Sequence, residues 1–490
     1  MLLPGCISLG DKVVKKLLFY SLFLIVFGLG IAFTLQQGRK LSARTGFRPN
    51  ATHPAGLAGV GPSASLLSNL RENFQDPLTR LFVQLILIVL AARVCGMLAA
   101  RMRQPVVVGE MVAGILLGPS LLGLAWPAAF QFVFPASSLG ALRLFSQIGV
   151  CLFMFVVGME LDVSQLKHQA ATAVIVSQVS ILFPYLLGTM ASLFLFPALA
   201  GPNTTFTAFA LFIGISMSIT AFPVLARILE ERGLTKTPLG GTALVCAATD
   251  DVSAWSLLAL VVAIAKAGSV ASAAFSMGLV VLFVLVMLFW IKPRLPRWIS
   301  RAGHGDGTPG KGVTAGVVIF LFASALLTDV MGIHALFGSF LAGVVMPARG
   351  EFREFLKLRL EHFSSVFLLP LFFAFTGLRT QIGLLNDMDA WLICAGLILL
   401  ATLGKLGGAM VTARLTGVNW IDSFALGALM NTRGLVELIA LNIGYDLGIL
   451  SPRIFAMLVL MALVTTCMTG PLLTFADYLR ARKSLVASPT

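Results

Sequence analysis

Charged residues are scarce in this sequence of 490 residues, where Asp, Glu, Lys and Arg together make up only 11%. An average soluble domain carries about 25%. Hydrophobic residues reach 58% and the mean hydropathy is +0.94, so a soluble domain of ordinary composition is excluded. The strand-length alternation typical of a membrane barrel is also missing. The composition therefore predicts an all-α, multi-pass protein of the lipid bilayer.

Cysteine is also scarce, and the cysteines stand mostly as single residues within predicted helices. The six are Cys6, Cys95, Cys151, Cys246, Cys394 and Cys467. This spacing indicates neither a disulfide framework nor a zinc site. No cofactor is expected.

Apolar stretches long enough to cross a bilayer as helices recur along the chain. About 13 of them form the core of the predicted fold, and residues 17–35 form a possible extra N-terminal helix. The predicted core crossings are 79–100, 105–121, 139–159, 171–195, 204–228, 238–265, 269–291, 313–331, 333–348, 363–380, 390–413, 421–446 and 453–476.

These stretches divide the chain into four segments. Residues 1–36 are predicted to be a signal anchor or a cleavable signal peptide, and the uncleaved helix is favoured. Residues 37–76, rich in Gly, Ser, Asn and Pro, are predicted to be an external linker. Residues 77–476 form the transmembrane domain, and residues 477–490 are predicted to be a cytoplasmic tail.

The formal net charge of +14 reflects where the basic residues lie. With the crossings laid out alternately, the basic residues fall in loops on one side, which the positive-inside rule makes cytoplasmic. They are Lys12, Lys15, Lys16, Arg101, Arg103, Lys167 and those within 227–236, 292–301, 349–359 and 480–483. Because they are scattered over short loops, no nucleic-acid partner is predicted.

Two adjacent carboxylates, Asp250 and Asp251 in "CAATDDVSAW", lie near the middle of the crossing 238–265. Each charge at this depth costs about 2.5–3.5 kcal/mol on insertion scales, so the pair must face water, an ion or a countercharge. Adjacent helical residues point about 100° apart, so one carboxylate can line a cavity while the other faces a neighbouring helix.

The expected countercharge is Lys405 in "LATLGKLGGAMV", which is also in the middle of a crossing. A lysine and an aspartate at the bilayer centre lower their joint cost by pairing, and either can change protonation with its surroundings. A purely structural ion pair and a proton-coupled pair are both compatible with the sequence.

Polar residues and breakers interrupt two crossings. In 204–228, Pro223 removes an amide donor and disfavours helix at Phe222, after the polar residues Ser216, Ser218 and Thr220. The crossing 421–446 is interrupted similarly by the residues Asn431, Thr432, Arg433, Gly434 and Glu437. Broken helices at this depth are tolerated only against protein or a cavity, where their free backbone groups bind ions.

Arg433 and Glu437 lie four residues apart and are predicted to face each other as an ion pair, with direct substrate contact as the alternative.

The two interrupted crossings occupy equivalent places in two groups of three crossings, 171–265 and 390–476. By the charge assignment, the first group starts inside and the second starts outside. Inverted repeats whose broken helices meet at the midplane are typical of secondary transporters that work by alternating access.

Several motifs together resemble a known family. They are "SITAFPVLARILEERGL", "AATDDVSAW", "GIHALFGSFLAGVVMP", "LPLFFAFTGLRT", "GKLGGAM" and "MNTRGLVELIALNIG". With these motifs in this order, residues 77–476 resemble members of the cation:proton antiporter-2 superfamily. This superfamily comprises the sodium or potassium/proton exchangers of bacteria and their plant cation/H+ exchanger relatives. The resemblance implies a transporter rather than an enzyme, in a bacterial inner membrane.

The family resemblance also implies an architecture and a site. A homodimer is expected, in which panel helices within 79–159 and 269–380 support a core formed by 171–265 and 390–476. The resemblance makes Asp251 the essential cation- and proton-binding carboxylate, Asp250 its neighbour and Lys405 the lysine that compensates the charge. Thr220 joins the binding site. Support at the crossover, where the two interrupted crossings meet, is expected from Ser218, Asn431, Thr432, Arg433 and Glu437.

One departure from the plant pattern bears on the cation. The plant-type relatives usually have Asn-Asp where this chain has Asp250-Asp251, and the Asp-Asp form resembles the electrogenic sodium/proton exchangers. Sodium is therefore favoured, with potassium as the alternative. The sequence ends soon after its last crossing, so no cytosolic nucleotide-binding domain is expected.

Three other functions compete with cation/proton exchange. A sodium-coupled organic-anion carrier of similar inverted-repeat architecture is the main alternative, although the sequence displays no clear substrate cavity. An intramembrane aspartyl protease is disfavoured because adjacent aspartates on one helix do not form a facing dyad. A pure ion channel needs no lysine–aspartate proton couple.

Overall fold

A computed structural model describes residues 76–102, 104–160, 170–202, 204–266, 270–302, 311–331, 334–347 and 350–487. The predicted N-terminal helix at 17–35 and all of the linker at 37–76 except Asp76 lie outside the described residues. The first helices in the chain are α1 (Pro77–Arg101), α2 (Val106–Leu117), α3 (Leu122–Ala125), α4 (Pro127–Val133), α5 (Leu139–Glu160), α6 (Ala170–Leu199), α7 (Phe206–Ser218), α8 (Phe222–Glu231), α9 (Pro238–Lys266) and α10 (Val270–Leu285).

The remaining helices are α11 (Leu295–Ala302), α12 (Lys311–Val330), α13 (Ala335–Val344), α14 (Gly350–Phe363), α15 (Leu369–Arg379), α16 (Met388–Thr402), α17 (Gly408–Leu415), α18 (Trp420–Met430), α19 (Leu435–Asp446) and α20 (Pro452–Ala487). Three π-helical turns, Val286–Ile291, Ser364–Leu368 and Leu403–Gly407, follow α10, α14 and α16 without a break. Short 3-10 turns occupy Ala136–Ser138 and Ile382–Leu384.

The described part of the chain contains nine helices that are long and apolar enough to cross a membrane, or ten if the bent pair α18 and α19 forms one span. Three shorter apolar helices are Phe206–Ser218, Gly278–Ile291 and Ala335–Val344. Each of the predicted core crossings overlaps one of these helices, and the predicted all-α membrane fold is confirmed.

The first interruption separates α7 from α8. Ile219 is extended, with φ −75° and ψ 135°, and Ala221 caps the start of α8. The prediction that Pro223 disfavours helix at Phe222 is wrong, because Phe222 is the first residue of α8. Pro223 lies in the first helical turn, where a missing amide removes no helical hydrogen bond.

The second interruption separates α18 from α19, which are bent by 41° relative to each other. Its backbone lies close to α8: a Cβ atom added at Gly434 would lie 2.9 Å from Val224 Cγ2 and 3.1 Å from Ala221 Cβ. Glycine therefore permits the second interruption to approach α8.

A backbone hydrogen bond of 2.9 Å from the Ala221 amide to the Thr432 carbonyl joins the two interruptions. A second link, from the Gly201 amide to the Ile449 carbonyl at 3.1 Å, joins the segments that follow α6 and α19. The broken helices of the two groups therefore meet inside the bundle, as the repeat pattern predicts.

The helices outside the two groups also approach closely. At Gly158 in α5, an added Cβ would lie 2.2 Å from the Phe340 carbonyl oxygen of α13. Small residues at such positions let the backbones of two membrane helices approach closely. This close packing stabilises their association in lipid, where no hydrophobic effect drives helices together.

Two boundaries differ from the sequence prediction. Helix α20 continues to Ala487, so the predicted tail at 477–490 begins as an extension of the last crossing. The predicted crossing 363–380 is also longer, because α14 precedes it through a π-helical turn. Both extensions contain charged residues. A hydropathy pattern detects only the apolar part of a helix, so it did not predict them.

Candidate functional site

Asp250 and Asp251 lie on α9 and are buried, with 0% and 1% exposure. Their carboxylates have different surroundings, as expected from the angle between adjacent helical residues.

Asp250 accepts hydrogen bonds from three neighbouring elements. Ser177 Oγ on α6 donates to Oδ1 at 2.5 Å, and Thr220 Oγ1 in the first interruption is 2.6 Å from Oδ2. Lys405 Nζ is 2.8 Å from the same Oδ2 atom. A buried carboxylate with three donors has its charge well compensated.

Lys405 lies in the π-helical turn between α16 and α17 and is fully buried. Its ammonium has three acceptors: Ser180 Oγ at 3.1 Å, Thr220 Oγ1 at 2.5 Å and Asp250 Oδ2 at 2.8 Å. Since an ammonium has three donors, each proton can be matched with one acceptor. π-Helical turns inside helices are frequent at functional sites.

Asp251 has no such support. Neither of its carboxylate oxygens accepts a hydrogen bond of normal geometry from the described residues. The Phe222 amide, at the N-terminus of α8, acts electrostatically on this carboxylate, and a helix N-terminus favours negative charge. A buried carboxylate without partners is costly, and either a proton or a bound cation would offset that cost.

Thr220 connects the two charged groups to the second interruption. Its hydroxyl oxygen accepts from Lys405, and its single proton has two acceptors, Asp250 Oδ2 at 2.6 Å and the Met430 carbonyl at 3.1 Å. Thr220 therefore contacts both members of the ion pair and the end of α18.

Arg433 occupies the other side of the crossover. Its Nη1 and Nη2 atoms donate to the carbonyls of Ser216 and Met217 at 2.8 and 2.7 Å. These carbonyls lie at the C-terminal end of α7, where a positive charge is favourable. The predicted ion pair is present as well, with Nη1 3.3 Å from Glu437 Oε1.

The other three predicted residues of the crossover are buried, and within the described part of the chain their side chains make no hydrogen bond to the aspartates. Ser218 Oγ donates to the Gly214 carbonyl of its own helix at 2.7 Å. Thr432 Oγ1 is 3.3 Å from Thr469 Oγ1. Both polar side-chain atoms of Asn431 are buried without a hydrogen-bond partner among the described residues.

Sequence reasoning missed two polar contributors to the ion pair, Ser177 and Ser180. They belong to the predicted plain crossing 171–195, where the only signal was their spacing of three residues on one helical face. It also missed Thr466, whose hydroxyl accepts from the Arg433 amide at 3.1 Å and donates to the Arg433 carbonyl at 2.9 Å.

A cavity of about 1080 Å³ lies between α5, α8 and α14, at the end that carries the basic loops. Its wall includes Phe222, which directly follows the first interruption. The charged residues of the wall are Arg227, Glu230, Lys236, Arg353, Glu354 and Lys357.

A pocket of about 30 Å³ lies at the opposite end and is lined in part by Arg143, Arg379 and Asp446. Arg143 Nη2 lies 2.9 Å from Asp446, and Arg379 also pairs with that carboxylate. These ion pairs join α19 to α5 and α15.

The residues that the structure describes contain no group of three or more His, Cys, Asp or Glu side chains that could hold a metal ion.

Comparison with known families gives the same assignment as this geometry. The family model described as "Sodium/hydrogen exchanger, transmembrane" matches residues 86–476, which include both groups of three crossings. The chain belongs to the sodium/hydrogen exchanger family. The predicted resemblance to cation/proton antiporters is thereby confirmed.

Members of this family with assigned names include a Na(+)/H(+) antiporter, NhaS4, from Synechocystis, which is 44% identical over 81% of this chain and 97% of its own length. Cation/H(+) antiporter 17 from Arabidopsis thaliana is 40% identical over 82% of this chain. K(+)/H(+) antiporter 1 from Saccharomyces cerevisiae is 34% identical over 88%. The chain spans 50% of the length of each of these last two relatives.

A solved structure shares the exchanger fold. The sodium proton antiporter MjNhaP1 from Methanocaldococcus jannaschii matches with a TM-score of 0.53 and 14% identity, over 82% of this chain and 97% of that one. At this identity the likeness supports the fold alone.

Proposed function

We propose that this multi-pass membrane protein exchanges a monovalent cation for H+ by alternating access. The family model and the named relatives support this function. The crossed, broken helices support the mechanism, since their free ends supply ion-binding groups at the centre of the bundle. The single observation that carries the proposal is the buried, unpaired carboxylate of Asp251 beside the start of α8.

Asp251 is the common site for both ions. A carboxylate that holds either a proton or a dehydrated alkali cation couples the two fluxes by competition, because release of one is needed for binding of the other. The cavity of about 1080 Å³ supplies the route from the predicted cytoplasmic side.

Lys405 determines the stoichiometry. If it releases its proton when the cation arrives, two protons exchange for one cation and the exchange is electrogenic. If it remains protonated against Asp250, the exchange is electroneutral. Ser177, Ser180 and Thr220 hold this pair in place under both schemes.

Sodium is the proposed cation and potassium the alternative. The Asp-Asp pair favours sodium, and the Synechocystis relative is named a Na(+)/H(+) antiporter, whereas the yeast relative is named a K(+)/H(+) antiporter. The competing proposal of a sodium-coupled organic-anion carrier receives no support from the relatives. A transporter of this kind is not an enzyme.

The assembly proposed is a homodimer in a bacterial inner membrane. Its interface is formed by helices within 79–121 and 269–348, which are part of the panel that the family resemblance implies. Native mass spectrometry in mild detergent tests the assembly, and a protein that is only monomeric there would contradict it.

Flux in proteoliposomes tests the function itself. The purified protein is reconstituted with a pH-sensitive dye inside and given sodium, lithium or potassium chloride at equal concentration. We expect cation-driven proton movement with sodium and lithium. Proton movement with potassium alone would reverse the choice of cation, and uptake of organic anions without proton movement would refute the exchanger.

A further inference from the structure

The cavity of about 1080 Å³ lies between two parts of the bundle. On one side are α5 and α14, which are outside the two groups of three crossings. On the other side are α8, the first turns of α9 and the segment that joins them, which belong to the first group. A ligand in this cavity would therefore touch both of the parts that alternating access moves against each other.

The charged side chains of the cavity wall have an excess of positive charge. Among the described wall residues, four are basic and two are acidic, which gives a formal net charge of +2. Basic residues line both sides: Arg353 and Lys357 on α14, and Arg227 and Lys236 on or after α8. A cleft with one prevailing sign of charge concentrates ions of the opposite sign. The wall therefore attracts an anion and repels a small cation.

Arg353 gives an independent indication of an anionic ligand. Its side chain is half-buried, and its Nε atom is buried without a hydrogen-bond partner among the described residues. A buried donor without an acceptor is costly, so an acceptor that reached this atom would be bound favourably. A planar guanidinium matches two oxygens of one phosphate, and a lysine binds the same group as a point charge.

The rest of the wall favours a ligand that also has an apolar part. Phe153, Val156 and Val157 line the cavity on the side of α5, and Phe222 and Leu244 line it on the side of the first group. Ligand sites are commonly clefts of about 300–1,000 Å³ with apolar walls and a few charged groups. This cavity has a similar size and a similar lining.

We propose that this cavity binds an organic phosphate and that the bound anion inhibits exchange. Its phosphate groups lie between the basic residues of α14 and those on the side of α8. The ligand links the two parts and occupies the route to Asp251, and it stabilises the one state to which it binds better. The binding site is argued from the cavity alone, whereas the inhibition rests on the proposed exchange function.

Calorimetric titration of the purified full-length protein in detergent tests the site. ATP is the soluble organic phosphate, and adenosine is its uncharged counterpart. We expect ATP to bind, adenosine to bind far more weakly, and salt to weaken the binding of ATP. Arg353→Gln and Lys236→Gln should each lower the affinity for ATP about tenfold, because each removes one charged partner of the phosphates.

Arg359→Gln is the matched control. Arg359 is an exposed residue of α14 that stacks on Phe355 and is not among the described residues of the wall. The variant loses the same charge from the same helix, so its affinity for ATP should equal that of the wild type. Equal affinity for ATP in all three variants would overturn the site, because the attraction would then be non-specific.

An anionic lipid is the other source of the same phosphate chemistry. The protein is reconstituted in phosphatidylcholine vesicles with and without cardiolipin, which has two phosphates. If the lipid is the ligand, cardiolipin raises the melting temperature of the wild type and Arg359→Gln more than that of Arg353→Gln and Lys236→Gln. Absence of ATP binding together with equal effects of cardiolipin on all four proteins overturns the proposal.

Sodium-driven proton flux in proteoliposomes tests the inhibition. ATP on both sides of the membrane, or cardiolipin within it if the lipid is the ligand, should lower the flux of the wild type and Arg359→Gln several-fold. The flux of Arg353→Gln should change little. Undiminished wild-type flux with the bound ligand would overturn the inhibition. Absence of any flux in the wild type would refute the proposed exchange function, whereas the binding measurements would still decide the site.

Discussion

Asp250 accepts hydrogen bonds from a serine, a threonine and a lysine, and Asp251 accepts none from the described residues. This contrast gives the two adjacent carboxylates different chemistry. Asp250 has a countercharge and two hydroxyl donors, which offset part of the cost of burying its carboxylate. In the proposed function, Asp251 is the group that binds a proton or a cation.

The first prediction concerns the ion pair. Lys405→Gln leaves Asp250 without its countercharge, and breaking a buried pair costs about 3–5 kcal/mol. The melting temperature of the purified protein should fall clearly. The double variant Asp250→Asn with Lys405→Gln should recover most of it, because no charge is then stranded.

Lys266→Gln, at the exposed end of α9, is the control and should leave the melting temperature unchanged. Equal destabilisation of the single and double variants would contradict the pairing. Current on a solid-supported membrane from the same proteins separates the two stoichiometries, since undiminished current in Lys405→Gln eliminates the lysine as a proton carrier.

At this scale, sequence reasoning finds the charged residues and misses their neutral partners. Asp250, Asp251 and Lys405 stand out because a charge in the middle of a crossing is rare and costly. Ser177 and Ser180 do not stand out, since a serine in a membrane helix usually bonds to its own backbone. Only the three-dimensional approach of α6 to α9 and to the turn Leu403–Gly407 distinguishes them from Ser192 on the same helix, whose hydroxyl donates to the Gly188 carbonyl.

At the scale of the helices, the site depends on two interruptions that touch each other. The Ala221 amide bonds to the Thr432 carbonyl, and Arg433 binds the last carbonyls of α7. Backbone groups at the ends of the broken helices thus form hydrogen bonds to groups of the other interruption. No bulk water is available within the bundle to form these bonds instead.

The second prediction is that Gly434→Ala disturbs this contact. The added methyl group would lie 2.9 Å from Val224 Cγ2, so α8 must shift or the interruption must open. Overpacking of this kind costs about 1–3 kcal/mol. We expect a lower melting temperature together with slower exchange.

Gly396→Ala in α16 is the matched control, because an added Cβ there meets nothing within 4 Å. Alanine is also the better helix former, so this variant should be neutral or slightly more stable. If Gly434→Ala behaves like Gly396→Ala, the close approach does not constrain the crossover.

The interruptions were predictable and the π-helical turn at Lys405 was not. Pro223 and the run Asn431 to Gly434 break an apolar pattern visibly. The turn Leu403–Gly407 keeps the apolar pattern of the surrounding helix, and one extra residue per turn leaves no mark in the sequence.

Across the whole molecule, the two ends of the bundle differ. The end with the basic loops has the cavity of about 1080 Å³, and at the other end Asp446 of α19 pairs with Arg143 of α5 and Arg379 of α15. These ion pairs join the second group of crossings to helices outside it.

The third prediction is that Asp446→Asn weakens the contact of α19 with α5 and α15. Without the carboxylate, the two arginines lose their shared partner, and the pocket beside them opens more often. The test uses a variant without the six native cysteines that carries Ser146→Cys. Ser146 is a 2% exposed residue of the pocket wall. The introduced thiol should react faster with a membrane-impermeant thiol reagent when Asp446→Asn is added.

The control is Asp387→Asn, which removes the ion pair between Asp387 and Arg453 at the same end. Asp387 caps the start of α16 and Arg453 lies in α20, so this pair joins two helices of the second group to each other, and labelling of Ser146→Cys should not change. Equal labelling with and without Asp446→Asn would show that the ion pairs of Asp446 do not hold α19 against α5 and α15.

The central claim is that Asp251 carries both the cation and the proton, and Asp251→Asn tests it most directly. This change preserves the size of the side chain and removes its charge. Sodium-driven proton flux is measured in proteoliposomes beside the wild type and Asp387→Asn, with melting temperature confirming that each protein is folded. We expect no flux above protein-free liposomes for Asp251→Asn and near-normal flux for Asp387→Asn. Near-normal exchange by folded Asp251→Asn would show that this carboxylate is not the shared site.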